Sequence, residues 1–265
     1  MNSPFNFYDF LGYLMPGAAA LALVYWLLTG LLGLDVPLTL DSVGESIVFA
    51  LAAYFAGHLV QILGKRIERR KLAEWGGWPS ERLLDDADNF YTPQFKAELR
   101  RLAREVFRLS PADEQAPNYT RQLFYLCYAL VMQEGHSGQT EIFNATYSLY
   151  RGMYVALRLG MVVAALVGLK HLALLAASLA SLPVPGTVFF HYSDLHLALA
   201  ALTLLVAVAA LPRLARQWRR FSRHFANSVY RNFYVWCMRN GVGDFDAAVE
   251  RALQRPSAAP PPRDT

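Results

Sequence analysis

The sequence is poor in charge. Asp, Glu, Lys and Arg make up 17% of its 265 residues, against 54% hydrophobic. Few soluble chains of this size are so sparsely charged, and the mean hydropathy of +0.21 points the same way. Cysteine is nearly absent. Cys127 and Cys237 are the two present; they offer neither a disulfide framework nor metal-ligand spacing, and both are expected to be reduced. A Gly-rich phosphate loop, an HExxH helix and a serine-nucleophile elbow are all missing, so no catalytic residue, metal or cofactor is expected. The stretch before Phe10 has no basic n-region, and Asp9 is its one charge. The apolar run that follows is therefore expected to be kept as a structural helix rather than cleaved.

Four such runs are present: Phe10–Leu34, Gly44–Leu63, Tyr154–Leu182 and Leu195–Leu211. Crossing a ~30 Å hydrocarbon core takes about 20 mostly apolar residues, which all four supply, the last narrowly. The loops between them are charged unequally. Lys65, Arg66, Arg69, Arg70 and Lys71 follow the second run, and Arg213, Arg216, Arg219, Arg220 and Arg223 follow the fourth. The first loop holds Asp35, Asp41 and Glu45 with no Lys or Arg, and Pro183–His196 also lacks both. Basic residues beside spans stay in the cytoplasm. The expectation is a multi-pass membrane protein with both termini and the segment 65–150 cytoplasmic. The net charge of +4 and the pI near 9.1 come from these two clusters, where anionic membrane lipids attract them; nucleic-acid binding is not needed to explain them.

The fold expected is all-α: four transmembrane helices in two hairpins with a helical cytoplasmic domain. The first hairpin covers 1–64, the cytoplasmic domain 65–150, the second hairpin 151–212, amphipathic C-terminal helices 213–255, and a disordered proline-rich tail 256–265. In the first run Pro16 removes one helix hydrogen bond and should kink the span. In the cytoplasmic domain Thr92-Pro93 signals a helix start, and Phe95, Leu99, Leu102, Val106 and Leu109 share one face. Ser110-Pro111 repeats the signal, Thr120–Glu134 reads as a second helix, and Gly135–Gly138 as a break. A helix from Thr140 runs into the third span. Beyond Arg213, Trp218, Phe221, Phe225, Val229, Phe233 and Trp236 recur at steps of three and four. That helix either docks on the cytoplasmic domain or lies on the membrane surface; a shorter one, Asp244–Leu253, follows.

Polar residues within the runs mark either helix–helix hydrogen bonds or a water-filled path. Tyr54, His58 and Gln61 share a face of the second span. With Asp9 and Tyr13 of the first they form the candidate pore lining. Arg158 can snorkel to the cytoplasm, whereas Lys170 and His171 lie deeper or near the outer interface. His191, Asp194 and His196 are three potential metal ligands, at a spacing common by chance. In the cytoplasmic domain Arg100, Arg101, Arg104 and Arg108, with Arg121, offer a basic face. It is either a solvated helix surface or a site for an anionic ligand, since guanidinium forks match phosphate. The polar turn around His136 could close such a site.

The opening Phe7-Tyr8-Asp9-Phe10-Leu11-Gly12-Tyr13-Leu14-Met15-Pro16-Gly17, and Phe143-Asn144-Ala145-Thr146-Tyr147-Ser148-Leu149-Tyr150-Arg151, resemble segments of small four-span membrane proteins from bacterial antiphage defence loci. Some of these are effectors paired with a nucleotidyltransferase, as in CBASS-like or Hailong-like systems. The resemblance implies a homo-oligomeric channel or pore opened by a nucleotide or oligonucleotide that the partner enzyme makes, and no catalytic residues carry over. A non-conducting scaffold or transport-complex subunit is the alternative. A membrane-embedded lipid enzyme fits less well, because intramembrane Asp, Glu and paired His are few.

Overall fold

The computed structural model describes residues 7–34, 37, 41–110, 112–134, 138–180 and 190–242. Among them all regular structure is helical. The chain enters through α1 (Phe7–Asp9), makes a π-helical turn at Phe10–Leu14, continues as α2 (Met15–Trp26) and ends the segment in a second π turn, Leu27–Leu31. Pro16 sits in the first turn of α2, where its missing N–H costs least. The disruption expected from it appears as the π turn just before.

Ser42 starts α3 (Val43–Trp75) with a capping box: its hydroxyl accepts from the Glu45 N–H at 3.1 Å, and Glu45 accepts from the Ser42 N–H at 3.0 Å. Gly76, at φ 78°, ends it in the left-handed conformation that suits glycine. Then come α4 (Pro79–Arg82), α5 (Pro93–Phe107), a 3-10 turn at Asp113–Gln115, α6 (Tyr119–Gln133), α7 (Gly138–Ala180) and α8 (Phe190–Arg239). Four helical stretches are long and apolar enough to cross a membrane: Phe10–Leu31, Val43–Arg82, Gly138–Ala177 and Leu195–Arg239. At 1.5 Å per residue α3, α7 and α8 measure roughly 50, 65 and 75 Å, so each outruns a ~30 Å core by several turns.

Helices pass unbroken through positions 64, 150 and 212; the sequence predicts the helix from Thr140 into the third span and the one beyond Arg213, but not the run of α3 past 64. The chain instead divides into two compact units, 1–77 with 141–225 and 78–140 with 226–265. Helix also begins at Phe190, inside the segment read as the second outer loop. The short helix expected at Asp244–Leu253, the tail 256–265 and the turn containing His136 lie outside the described residues.

The first unit holds the four candidate spans. A Cβ on Gly17 would stand 1.7 Å from the Ala53 carbonyl oxygen, and one on Gly57 would stand 2.1 Å from that of Tyr13. The two backbones touch at these glycines. Because residue 17 meets 53 and residue 13 meets 57, the pair is antiparallel. α7 and α8 are antiparallel by the same test: Tyr147 stacks on Phe225, Tyr150 on Phe221, and Tyr154 lies against Trp218, which also takes Trp75 edge-on. The outward faces are apolar. Leu51, Phe55, Leu59 and Ile62 form one exposed stripe on α3, and Leu202, Leu205 and Val208 lie exposed on α8.

The second unit packs around Leu99, Leu102, Leu123, Cys127, Val229, Tyr230 and Phe233, all buried. Phe107 stacks on Phe233, Phe124 meets Tyr230 edge-on, and the Tyr230 hydroxyl donates to the Ser80 carbonyl at 2.9 Å. Lys96 is buried too; its ammonium donates to the carbonyls of Asp85 and Asp88 and so closes the turn before α5. The Thr92 hydroxyl caps α5 as its sequence foretold, accepting from the Phe95 N–H at 3.3 Å. The start read at Ser110-Pro111 is a smaller feature, the 3-10 turn, where the Asp113 carboxylate accepts from the Ser110 N–H at 2.6 Å.

Candidate functional site

The polar side chains of the first unit gather in three places. The first is buried. Pro16 has no N–H, so the Gly12 carbonyl lacks its usual i+4 donor. Gln61 of α3 replaces it: Nε2 donates to the Gly12 carbonyl at 2.5 Å and to the Ser148 carbonyl at 3.0 Å. Gln61 Oε1 accepts from Arg151 Nε at 2.8 Å. Arg151 Nη1 donates to Glu68 Oε2 at 3.1 Å and to the Tyr147 hydroxyl at 3.0 Å. That hydroxyl in turn donates to Glu68 Oε1, and the Ser148 hydroxyl reaches Tyr8 at 3.3 Å. Glycines make room: a Cβ at Gly64 would press on Arg151 Cγ at 3.0 Å, and one at Gly152 would stand 2.6 Å from Pro16 Cγ. Gln61, Glu68 and Arg151 are 5%, 4% and 7% exposed. Such a pair survives only when its charges and hydrogen bonds are satisfied together, as they are here.

The second group is half-buried and lies alongside. Tyr13 stacks on His58 with ring centroids 4.1 Å apart, Tyr54 meets both edge-on, and Tyr8 meets Tyr13. His58 Nδ1 donates to the Tyr54 carbonyl at 2.9 Å, because a carbonyl can only accept. Asp9 is half-buried on the adjoining turn. Of the five residues read as a pore lining, the structure brings Tyr13, Tyr54 and His58 together, keeps Asp9 on the same short segment as Tyr8, and draws Gln61 into the buried network.

The third group lies toward the other end of the spans. Lys170 donates to the carbonyls of Gly30 and Leu31 at 3.1 and 2.8 Å, closing the C-terminal end of the first span's helix. His171 and His196 lie 4.7 Å apart, ring to ring, and the Trp26 indole N–H donates to His196 Nδ1 at 3.3 Å. A cavity of about 630 Å³ opens between Trp26, Thr29, Lys170, His171 and His196. His196, read as one of three metal ligands, is buried here beside His171. The side chains at 191 and 194 lie outside the described residues, among which no three His, Cys, Asp or Glu are placed to hold a metal.

In the second unit the basic face is partnered. Arg100 pairs with Asp86 at 3.2 Å, Arg101 with Glu98 and Glu105 at 2.8 and 3.1 Å, Arg104 with Glu114, and Arg121 with Glu81 at 2.7 Å. The hydrogen bonds from Arg101 hold the Glu98 carboxyl below its ordinary range. Arg108 is not on the helix face with the others. It caps α5 in the left-handed region at φ 52°. The sequence reading missed Glu68, Tyr147, Ser148 and Arg151 as a site. One signal for it was available: Glu68 is the sole acid within the basic run Lys65–Lys71. Comparison with family models, with curated proteins and with solved structures finds no match.

Proposed function

We propose that this chain is a non-enzymatic membrane effector that self-associates into a channel or pore, with both termini on the cytoplasmic side and gated by an anionic ligand of nucleotide type. The observation that carries the reading is the half-buried strip of Tyr8, Asp9, Tyr13, Tyr54 and His58 on spans that otherwise expose mostly apolar side chains, Arg158 excepted. These groups have partners within the chain, yet each keeps a half-exposed polar surface that hydrocarbon solvates only at a cost. A second copy of the chain, or a column of water between copies, removes that cost. Four spans alone can hardly enclose a wide path, so the strip would line one between subunits.

The two segments that resemble defence-locus effectors also meet in the fold. Tyr8 and Gly12 contact Ser148 directly and through Gln61. Their joint role would be to hold the first span against the second and third while the half-buried strip faces the path. The pairing of Arg100, Arg101, Arg104 and Arg121 with carboxylates favours the alternative, a non-conducting scaffold, because an anionic ligand would first have to displace those acids.

Ion flux from proteoliposomes holding the full chain separates the two. A channel predicts flux triggered by the product mixture of a nucleotidyltransferase, with cation selectivity lowered in Asp9→Asn and flux abolished in Arg100→Glu/Arg104→Glu. Assembled oligomers that stay silent under every nucleotide tried would leave the scaffold reading.

A further inference from the structure

Arg100, Arg101, Arg104 and Arg121 of the second unit and Arg151 of the first hold carboxylates. A second set, on α8, holds none among the described residues. Arg213, Arg216 and Arg220 are exposed, and with Gln217 they line a cleft of about 390 Å³. Their spacing of three, four and seven residues puts them on one helix face. Arg213 turns one Nη1 back to the Ala209 carbonyl at 2.6 Å, and Arg220 Nε points to His224 Nε2 at 3.3 Å. Each guanidinium keeps further N–H donors for a partner outside the chain.

Their place along the helix is specific. Val208 is the last of the exposed apolar residues of the fourth span, and Arg213 follows it by about 8 Å of helix rise. The polar headgroup layer on each side of a bilayer is roughly 5–8 Å deep. A helix that leaves hydrocarbon near Val208 therefore carries Arg213 to the outer part of the headgroup layer, with Arg216 and Arg220 about 12 and 18 Å beyond Val208 on its aqueous side. Guanidinium forks bind phosphate oxygens two at a time. The cleft exceeds a bare phosphate and suits a phosphoglycerol headgroup.

We infer that Arg213, Arg216, Gln217 and Arg220 form a binding site for the headgroup of an anionic phospholipid. The inference needs α8 to span a bilayer but does not depend on conduction. The test uses the full chain in nanodiscs of phosphatidylcholine with one-fifth phosphatidylglycerol, each carrying a spin label in turn. The wild type should enrich labelled phosphatidylglycerol in its boundary layer several-fold over phosphatidylcholine. Each guanidinium near an anionic surface is worth about a fivefold preference, so Arg213→Gln/Arg216→Gln/Arg220→Gln should bring the ratio close to that of the bulk lipid. Arg231→Gln, at an exposed position farther along α8, should leave it unchanged. Raising salt to about 0.5 M should erode the wild-type preference, a readout that needs no variant. The proposal is overturned if the triple variant keeps its enrichment, if wild-type enrichment is indifferent to salt, or if millimolar inorganic phosphate or ATP displaces the labelled lipid, which would make the cleft a soluble-phosphate site.

Discussion

Glu68 and Arg151 are 83 positions apart in the chain, and each is tolerable in the interior only because of the other. Removing one partner of a buried pair costs about 3–5 kcal/mol, whereas replacing both by well-packed apolar residues is often neutral. Glu68→Ala and Arg151→Met should therefore each lower the thermal unfolding midpoint of the detergent-solubilised protein sharply, and Glu68→Met/Arg151→Leu should recover much of the loss. A double-variant loss equal to the sum of the two single losses would mean that the pair does not act as a unit. Arg108 is the opposite case, a residue strained by its own backbone at φ 52°. Arg108→Gly should stabilise the second unit by roughly 1 kcal/mol, read as a higher denaturant midpoint with an unchanged slope. The exposed Glu98–Arg101 pair should matter little. The folded value for Glu98 is the lowered one, so its small contribution is present at neutral pH and disappears as acid titrates through that lowered value.

Elements built from local pattern were legible in advance. The four apolar runs, the Thr92 cap and the stripe from Trp218 to Trp236 needed only near neighbours to read, and the structure has helices at each. The continuation of α3 past the second span was not legible, because nothing in its basic run announces that the helix goes on for several turns beyond the bilayer. The buried network escaped for a related reason: Gln61 gives no sign, read alone, that it will reach Gly12 and Ser148, which lie 49 and 87 residues away. The arginines of α5 could be placed on a face, but Asp86 and Glu114, which pair with Arg100 and Arg104, come from other segments. The contact of the first two spans rests on glycine. Gly57→Leu would drive a side chain into the Tyr13 carbonyl and should cost well over 1 kcal/mol, since backbone cannot yield as a rotamer does. Trypsin digestion of the solubilised variant should be markedly faster than that of the wild type, with Leu59→Ala, on the exposed stripe of the same helix, as the unaffected control.

For the whole molecule, orientation is the property most open to measurement. Cysteines introduced at Asp35 and at Thr187 should react with an impermeant thiol reagent added to intact cells, and those at Arg70 and Ala258 should not; labelling at position 70 would refute the proposed topology. The buried native Cys127, whose thiol is pushed well above its ordinary range by burial, should add little background. The division of α8 between the two units has a consequence for how the protein is made. Trp218 lies against Trp75 and Tyr154 in one core, and Tyr230 and Phe233 complete the other. The ribosome delivers all three of these aromatic residues after every other element of either unit. Until then each core lacks a wall, and nascent chains must wait with apolar surface uncovered. A message cut short anywhere before the codon for Phe233 would yield a chain that cannot close either core or only one, and cellular proteases would remove it. Under the proposed function, assembly into a pore would therefore have to await the end of α8.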